Sequence, residues 1–530
     1  MRDLGDFQTP PALVAAVLAR LGAAGSRWER VLEPTCGRGH FLAGLLALDP
    51  PPREVYGIEI QPGHLAEARE VAAGAPGSVR VGLTAGSLFD LDLRTAPGWT
   101  SAGPLLVVGN PPWVTSAELG VLGSGNHPHK QNFNNARGIE ALTGSSNFDL
   151  AEAVWLKLLT ELADEQPTVA LLCKVSVARR VLEHAAKAGM TVASASLTKL
   201  DARVWFGASV EACLLCVTLG PRSDGPAMPA RIPVYPALDA AEPEASMGFA
   251  GARLVADLDA YRTAAFADGP CPFVWRQGLK HDAASVMELE EGGSPTEGLK
   301  NKLGQPVDVE VSSIYPLLKG GDLARPNFDP SSARRAVIVT QRKVGDDTQG
   351  LRQSAPKLWA YLEGHDGTFS ARKSSVYRGA PPYAMFGVGP YSFSAYKVAV
   401  SGLHKAAVFH ALGSIEGQPV MLDDTCYLLP ASSPEQAAVV AALLNGPAAR
   451  ALLRALSFPG SKRAVTKSVL QRFDLNALLA HADRPALLDR AGADVARLAG
   501  RAPCWPERLE ELLEPGACST ISLEGSTPLV

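Results

Sequence analysis

An α/β fold, with a mostly parallel sheet covered by helices and a second domain behind it, is what three features of this chain predict. Apolar runs alternate with helix-like stretches through residues 1–220, small and polar residues cluster just after those runs, and a break rich in Pro, Gly and Ala then introduces a second half of different charge. Strands that alternate with helical patterns form parallel sheets buried on both faces. Such sheets bind their ligands at the carboxyl ends of the strands. Residues just after the apolar runs are therefore the first candidates for a site.

Composition narrows the classes. With 530 residues, 46% of them hydrophobic and 20% charged, the chain can build two or three domains with substantial cores. Met1-Arg2-Asp3-Leu4-Gly5-Asp6 lacks the basic region and apolar core of a secretory signal, and no apolar run is long enough to cross a bilayer, so a cytoplasmic protein without a membrane partner is expected. The 8 cysteines are sparse for this length, and several, such as Cys173, lie in apolar runs, which points to free thiols. Cys213 and Cys216 form a CxxC pair inside the strand-like run 212–219, but no second ligand pair follows at zinc spacing, so no metal is expected. A net charge of -4 opposes a nucleic-acid partner unless a local basic surface overcomes it.

The strand-like runs are 30–34, 55–60, 79–83, 105–108, 169–173 and 191–197. After the first comes Glu33-Pro34-Thr35-Cys36-Gly37-Arg38-Gly39-His40-Phe41, leading into a helix through Leu42, Leu45 and Leu46. Gly37 and Gly39 let the backbone approach a ligand closely, and the helix start offers free N–H groups. This is not a phosphate loop: GxxxxGK[ST] is absent, GxGxxG is incomplete, and Glu33 would repel phosphate while accepting from an amino group. Glu59 ends the second run, where a carboxylate can accept from both hydroxyls of a ribose. Alone it reads equally well as a solvated strand-end acid. Together these tips favour a nucleoside-like cofactor without a phosphate chain.

The fourth run ends in Val107-Val108-Gly109-Asn110-Pro111-Pro112-Trp113. Proline fixes φ and has no N–H, so Pro111-Pro112 stops the strand in a stiff extended turn. There the Asn110 amide and the Pro111 carbonyl can converge on one small polar group, with the Trp113 face beside it. A planar substrate bearing an amino group fits; an ordinary proline turn with a packed indole fits the tetrapeptide equally well.

Three stretches in order, Phe7-Gln8-Thr9-Pro10, Glu33 to Phe41, and Asn110-Pro111-Pro112-Trp113, resemble the motifs of the TaqI-like (gamma-class) adenine-N6 DNA methyltransferases. The resemblance implies a methyltransferase sheet, Rossmann-like, with a reversed final hairpin whose last strand is Glu211 to Leu219, and S-adenosylmethionine as cofactor. It implies that Thr9 and Pro10 border the methionine end of the cofactor, that Glu33, Gly37 and Gly39 contact its amino-acid part, and that Glu59 takes the ribose. After the third strand, where the family often has an acid against the cofactor adenine, this chain has Ala85-Gly86-Ser87-Leu88-Phe89-Asp90. Ser87 holds the acidic position and Asp90 is displaced, with Leu88 and Phe89 as apolar walls. Asn110 and the Pro111 carbonyl would accept the two hydrogens of an adenine amine, Pro112 would stiffen the turn, and Trp113 would stack on a flipped base. Phe206, in Trp205-Phe206-Gly207, stands where the family places a second aromatic, with Trp205 one residue away. The polar segment 120–146, which holds His127, His129 and Lys130, reads as a loop closing over DNA or the flipped base, or as a plain surface loop. Asn147 or Asp149 is expected to cap the following helix.

Residues 221–248, rich in Pro, Gly and Ala, read as a linker between a methyltransferase domain, 1–220, and a target-recognition domain, 249–475, with a helical extension and loose tail in 476–530. Residues 334–405 hold 11 Lys or Arg and 4 acids, a net +7 inside an acidic chain. Their interleaving with Tyr377, Tyr383, Tyr391 and Tyr396 suits contacts to backbone and bases of double-stranded DNA. Arg342, Lys343, Arg372, Lys373 and Lys397 are the candidate contacts there, joined by Lys462 and Arg463 after the break at Pro459-Gly460. Phe386 to Tyr391 and Tyr396-Lys397-Val398 also resemble the family's specificity domain. No PD-(D/E)xK or HNH pattern is present, so a fused nuclease is not expected; a monomer is expected, served by a separate cognate restriction endonuclease if one exists. N4-cytosine or RNA methylation, and a DNA-binding specificity protein with an inactive methyltransferase domain, remain alternatives.

Overall fold

In a computed structural model of the chain the described residues are 8–22, 28–114, 149–221, 225–291, 298–325, 328–329, 335–404, 407–458, 463 and 465–515. They form two compact units that divide between Asp259 and Ala260.

The first unit is built on a ten-stranded sheet. Its strands are β1 (Arg30–Glu33), β2 (Glu54–Glu59), β3 (Arg80–Ala85), β4 (Leu105–Gly109), β5 (Thr168–Lys174), β6 (Val192–Asp201), β7 (Glu211–Leu219), β8 (Ile232–Tyr235), β9 (Ala245–Ala250) and β10 (Arg253–Val255), in the order β10-β9-β8-β6-β7-β5-β4-β1-β2-β3. Strands β1 to β5 run parallel. Strand β7 lies antiparallel between β5 and β6, the reversed hairpin expected from the sequence. The chain steps from β1 outward through β2 and β3, then returns to place β4 on the other side of β1. That reversal opens a crevice at the carboxyl ends of β1 and β4, where open α/β sheets bind ligands. Both central strands are buried along their whole length, β4 as a continuous Leu and Val run and β1 with Arg30 and Glu33 buried at its ends.

The covering helices are α1 (Pro11–Gly22), α2 (His40–Leu46), α3 (Pro62–Ala73), α4 (Leu150–Glu161) and α5 (Val175–Lys187), followed by the short α6 (Ala202–Phe206). Helix α1 buries Leu13, Val14, Val17, Leu18 and Leu21, a spacing that makes one apolar face. Asp149 is the N-cap of α4 and accepts from the Ala151 N–H at 3.1 Å; Asn147 lies outside the described residues.

The structure corrects the expected linker. Residues 221–248 contain β8 and most of β9, which extend the sheet past β6. Ile232, Val234 and Met247 are buried, but in strands of 4 and 6 residues separated by a Pro- and Ala-containing connection, too short to register as a period. Residues 476–515 are likewise not an appendage. Arg484–Ala499 and the turn Leu509–Leu513 belong to the second unit, where Gln436 Nε2 donates to the Leu512 carbonyl at 2.9 Å and Arg501 pairs with the buried Glu435 at 2.7 Å. The tail from Cys518 lies outside the described residues.

The second unit holds two sheets. One comprises β11 (Arg276–Gln277), β16 (Tyr396–Ser401), β17 (His410–Leu412) and β19 (Cys426–Ala431); the other comprises β12 (Glu288–Glu291), β13 (Leu299–Asn301), β14 (Ile314–Leu318), β15 (Arg335–Ile338) and β18 (Met421–Leu422). The segment after β11 joins them, with the Gly278 N–H donating to the Cys426 carbonyl of β19 at 3.1 Å and the Leu279 N–H to the Leu422 carbonyl of β18 at 2.7 Å, and Lys280 then exchanges two backbone bonds of 2.8 Å with Phe386. A Cβ on Gly387, at φ +67°, would sit 2.1 Å from the Gly278 carbonyl oxygen, so the glycine of Phe386-Gly387 is fixed by this junction. The helix Pro434–Leu444 is buried on every side. Among the described residues no single helix is long and apolar enough to cross a membrane.

Candidate active site

The crevice is lined from the glycine turn after β1. The Cys36 N–H donates to the Ile58 carbonyl at 2.8 Å, tying the turn to β2. Gly37, at φ +52°, then aims its N–H at Glu59 Oε2, 2.8 Å away, while the Gln61 N–H donates to Glu59 Oε1 at 2.7 Å. Gly39, at φ +81°, is the N-cap of α2. A Cβ there would lie 3.1 Å from the Ala68 Cα, and one at Gly37 would lie 2.8 Å from Gln8 Oε1. Both glycines are thus required by left-handed backbone and by close neighbours.

The segment before α1 covers this turn. Gln8 Oε1 accepts from the Arg38 N–H at 3.3 Å, and the Thr9 carbonyl meets His40 Nδ1 at 2.7 Å. Thr9 is buried and Pro10 half-buried, so the sequence-predicted Thr9, Pro10, Gly37 and Gly39 come together; Phe7 lies outside the described residues. Glu33 lies at the tip of β1, only 2% exposed, and its Oε2 has no protein partner among the described residues. Burial pushes its carboxyl well above the usual range; the Leu42 N–H opposes the shift and the charge of Glu59 adds to it. A carboxyl buried in this way is pushed toward its neutral form unless a cation meets it.

Ser87, at the tip of β3, accepts from the Phe89 N–H at 3.2 Å and caps the turn Leu88–Asp90, whose Leu88 and Phe89 are buried.

Strand β4 ends at Gly109, beside Glu33: a Cβ there would stand 3.7 Å from Glu33 Cγ, in ordinary contact. Asn110 follows, its Oδ1 buried and its carbonyl 3.5 Å from Thr35 Oγ1. Pro111 is buried and Pro112 half-buried. Trp113, 6% exposed, donates its indole N–H to the Leu172 carbonyl at 3.3 Å. Phe206 meets it edge to face, with ring centroids 5.2 Å apart at 76°. Helix α6 delivers this ring: Asp201 caps it by accepting from the Arg203 and Val204 N–H groups, and Gly207 ends it at φ +65°. Phe206, not the neighbouring Trp205, is the partner of Trp113 in this pair.

Sequence reasoning missed Lys174. Its Nζ, at the end of β5, donates to the Trp113 carbonyl and to Asp149 Oδ2, each at 2.9 Å. A lone lysine ending the apolar run Leu171-Leu172-Cys173 was the available signal. Segment 120–146 lies outside the described residues. Cys213 and Cys216 are three apart on a strand and so face opposite sides of the sheet, which rules out joint metal binding. Cys213 instead faces Cys173 across the β5–β7 pair, Sγ to Sγ 3.9 Å.

In the second unit the basic residues separate into two kinds. Arg342, Lys343 and Lys373 are exposed, with the Arg342 guanidinium 4.3 Å from the Phe393 ring centroid. Lys397 is a correction: it is 1% exposed in β16, and its Nζ donates to the Ser394 carbonyl. Burial lowers its pKa to about 7, so it offers no surface charge to a nucleic acid. Arg372 is also taken up by the fold, stacked 3.8 Å over the Tyr377 ring and donating to the Ala384 carbonyl at 2.7 Å. Arg463 is half-buried and donates to the Asp424 carbonyl at 2.6 Å; Lys462 lies outside the described residues. Arg276, outside the basic stretch, was overlooked: it stacks on Tyr391 at 5.2 Å on the short β11, beside the exposed Lys467, whose pKa is lowered by burial and by the Arg276 charge.

No family model matches the chain. The type II methyltransferase M.NspV of Nostoc sp. strain PCC 7524 is 34% identical over 478 residues, covering 90% of this chain and 97% of that protein. The solved structure of the type IIL restriction-modification enzyme MmeI, in complex with DNA, matches 95% of this chain and 74% of its own with a TM-score of 0.53 at 12% identity, a likeness of fold. With nearly end-to-end similarity to M.NspV, and a sheet whose crevice gathers a buried acid, a glycine turn and an Asn-Pro-Pro-Trp strand end, the chain belongs to the type II methyltransferase family.

Proposed function

We propose that this protein methylates the N6 amino group of a flipped-out adenine at a specific DNA sequence, using S-adenosylmethionine, within a restriction-modification or related defence system, as the TaqI-like resemblance implies. The observation that carries the reading is the Trp113–Phe206 ring pair beside Asn110 and Pro111, at the strand tip next to Glu33. An aromatic pair beside an amide oxygen and a carbonyl suits a planar base with an exocyclic amine.

The crevice also fits the cofactor. Glu33 Oε2, buried and without a protein partner among the described residues, suits an ammonium, and the glycine turn admits a close-lying amino-acid moiety. Glu33, Gly37 and Gly39 would hold the amino-acid part, Thr9 and Pro10 the methionine end, Glu59 the ribose, and Ser87, Leu88 and Phe89 the adenine edge. When bound, S-adenosylmethionine supplies an electrophilic sulfonium methyl.

The remaining work falls to the chain's own residues. An adenine amine is a poor nucleophile because its lone pair is delocalised into the ring. Asn110 Oδ1 and the Pro111 carbonyl accept its two hydrogens and draw it toward a tetrahedral, more nucleophilic geometry. Rate then comes from positioning and fixed dipoles, without a covalent enzyme intermediate. Extruding the base costs a few kcal/mol, and stacking on Trp113 returns about 1 to 3 kcal/mol. Exposed Arg342, Lys343, Lys373 and Lys467, with the half-buried Arg276, are proposed to contact the DNA backbone, a role that the DNA-bound MmeI neighbour supports by fold.

Asn110→Ala tests the mechanism. Methyl transfer should fall about 100-fold or more, the loss seen when one transition-state acceptor or donor is removed, while cofactor affinity is kept. Near-normal transfer by folded protein would refute it. Sequencing DNA from a methylation-free host expressing the chain identifies the modified base, and N4-methylcytosine there would replace the adenine reading.

A further inference from the structure

We infer that Lys174 is a positioning residue for target-base capture: its ammonium fixes the main chain of Trp113 against the N-cap of α4 and so holds the Asn110-to-Trp113 turn in register. The inference rests on the reading proposed above.

Strand β5 runs beyond its neighbour. Gly109, the last residue of β4, pairs with Leu171, so Leu172, Cys173 and Lys174 continue as a rail beside the turn. Two residues of this rail hold Trp113. The Leu172 carbonyl takes the indole N–H at 3.3 Å, and Lys174 Nζ donates to the Trp113 carbonyl at 2.9 Å. External donors matter here because Pro111 and Pro112 have no N–H with which to fix the turn themselves. A second hydrogen bond on the turn's carbonyls, from Thr35 Oγ1 to the Asn110 carbonyl, is long at 3.5 Å. Of the two, the charged Lys174 bond is the shorter, and charge-assisted bonds are the stronger class.

The same ammonium has a second partner. Asp149 Oδ2 lies 2.9 Å away, the Asp149 side chain is 6% exposed, and its other oxygen caps α4 through the Ala151 N–H. One backbone bond, Leu150 N–H to the Val114 carbonyl at 2.9 Å, runs alongside. Lys174 therefore joins the chain where it leaves the strand-end turn to the chain where α4 begins. The neighbouring buried acid on α4, Glu152, is taken by Arg180 at 2.5 Å, so it does not compete for Lys174.

Removing the ammonium would do two separable things: release the Trp113 carbonyl and strand the Asp149 carboxylate in a buried place. The stranded charge is the larger cost to stability, and Asp149→Asn removes it, because asparagine caps a helix as well as aspartate does. The experiment compares wild type, Lys174→Met and the double variant Lys174→Met/Asp149→Asn. Four quantities are measured: thermal midpoint, S-adenosylmethionine affinity by calorimetry, fluorescence of 2-aminopurine at the target position of duplex DNA, and single-turnover methyl transfer. We expect Lys174→Met to bind cofactor within threefold of wild type, to lose most of the 2-aminopurine enhancement, and to transfer methyl at least tenfold more slowly. The double variant should regain thermal stability and regain neither fluorescence nor rate. Recovery of rate together with stability in the double variant would overturn the inference, because the role would then be structural alone. A parallel loss of cofactor affinity would overturn it as well. Wild-type protein that binds S-adenosylmethionine yet neither methylates DNA nor brightens the probe would instead overturn the adenine reading on which the inference rests, and the inference with it.

Discussion

Glu33→Gln should make the cofactor-free protein more stable and the cofactor bind more weakly, two effects of opposite sign from one atom. Glu33 is 2% exposed, its Oε2 has no protein partner among the described residues, and burial raises its carboxyl pKa well above the ordinary value. In the unfolded chain the same carboxyl titrates near pH 4.3, so above that pH the folded state retains a proton that the unfolded state has lost. Stability therefore falls as pH rises from the unfolded value toward the folded pKa, and levels off above it, where the cofactor-free protein carries the full cost of the buried charge. A buried unsatisfied polar group costs about 1 to 3 kcal/mol, and more when charged. Each kcal/mol is worth about 2 to 4 °C in a domain of roughly this size. Glutamine removes the charge, so the variant's thermal midpoint without cofactor should exceed wild type at pH 8 and converge with it toward pH 4. Binding moves the other way. A hydrogen bond to a charged group is worth about 1.5 to 3 kcal/mol, which is about 10- to 150-fold in S-adenosylmethionine affinity by calorimetry. Wild-type affinity should also rise with pH as Glu33 ionises, and the variant's should not. A variant with unchanged affinity and an unchanged midpoint at pH 8 would refute this account of the buried acid.

Lys397 supports a prediction about stability alone. With its pKa lowered by burial to about 7, the unfolded chain holds the proton more tightly, and stability rises with pH from about 7 toward 10. Lys397→Met should abolish that rise in urea denaturation and leave DNA affinity unchanged. Gly39→Ala places a side chain at φ +81° and 3.1 Å from the Ala68 backbone. Left-handed backbone alone costs roughly 1 to 2 kcal/mol, so the variant should melt lower and bind cofactor more weakly, as differential scanning fluorimetry and calorimetry would show. Arg342→Glu/Lys343→Glu, at exposed positions, should weaken DNA binding and flatten its dependence on salt, by about 0.9 in logarithmic slope for each phosphate that is no longer neutralised. Binding that stays equally steep in salt would remove these two residues from the interface.

Much of the sheet was legible because buried parallel strands write themselves as continuous apolar runs. The expected strand at Glu211 to Leu219 coincides with β7, and the runs 30–34, 105–108 and 169–173 mark β1, β4 and β5 to within a residue. Glycines that only a left-handed turn explains, Gly37 and Gly39, were also readable, as was the capping role of Asp149. Short strands were not. Four residues at β8 with a proline among them, or two at β11, carry no period that distinguishes them from a loop.

What the sequence determined by itself is local: where strands stop, which residues stand at their tips, and that Asn110-Pro111-Pro112-Trp113 cannot continue a strand. Charge counted along the chain proved a poor guide to charge on the surface. Lys397 lies within the basic stretch yet is buried, because β16, flanked by β17 and β19, is covered on both faces and is buried from Lys397 to Ser401. Only the tertiary structure set Phe206 against Trp113, left Glu33 Oε2 without a partner among the described residues, and brought Lys174 to both Trp113 and Asp149. Those meetings join residues far apart in sequence, and strand order places them side by side: β5 lies next to β4 because the chain returns across β1, a choice made by burial of the whole sheet.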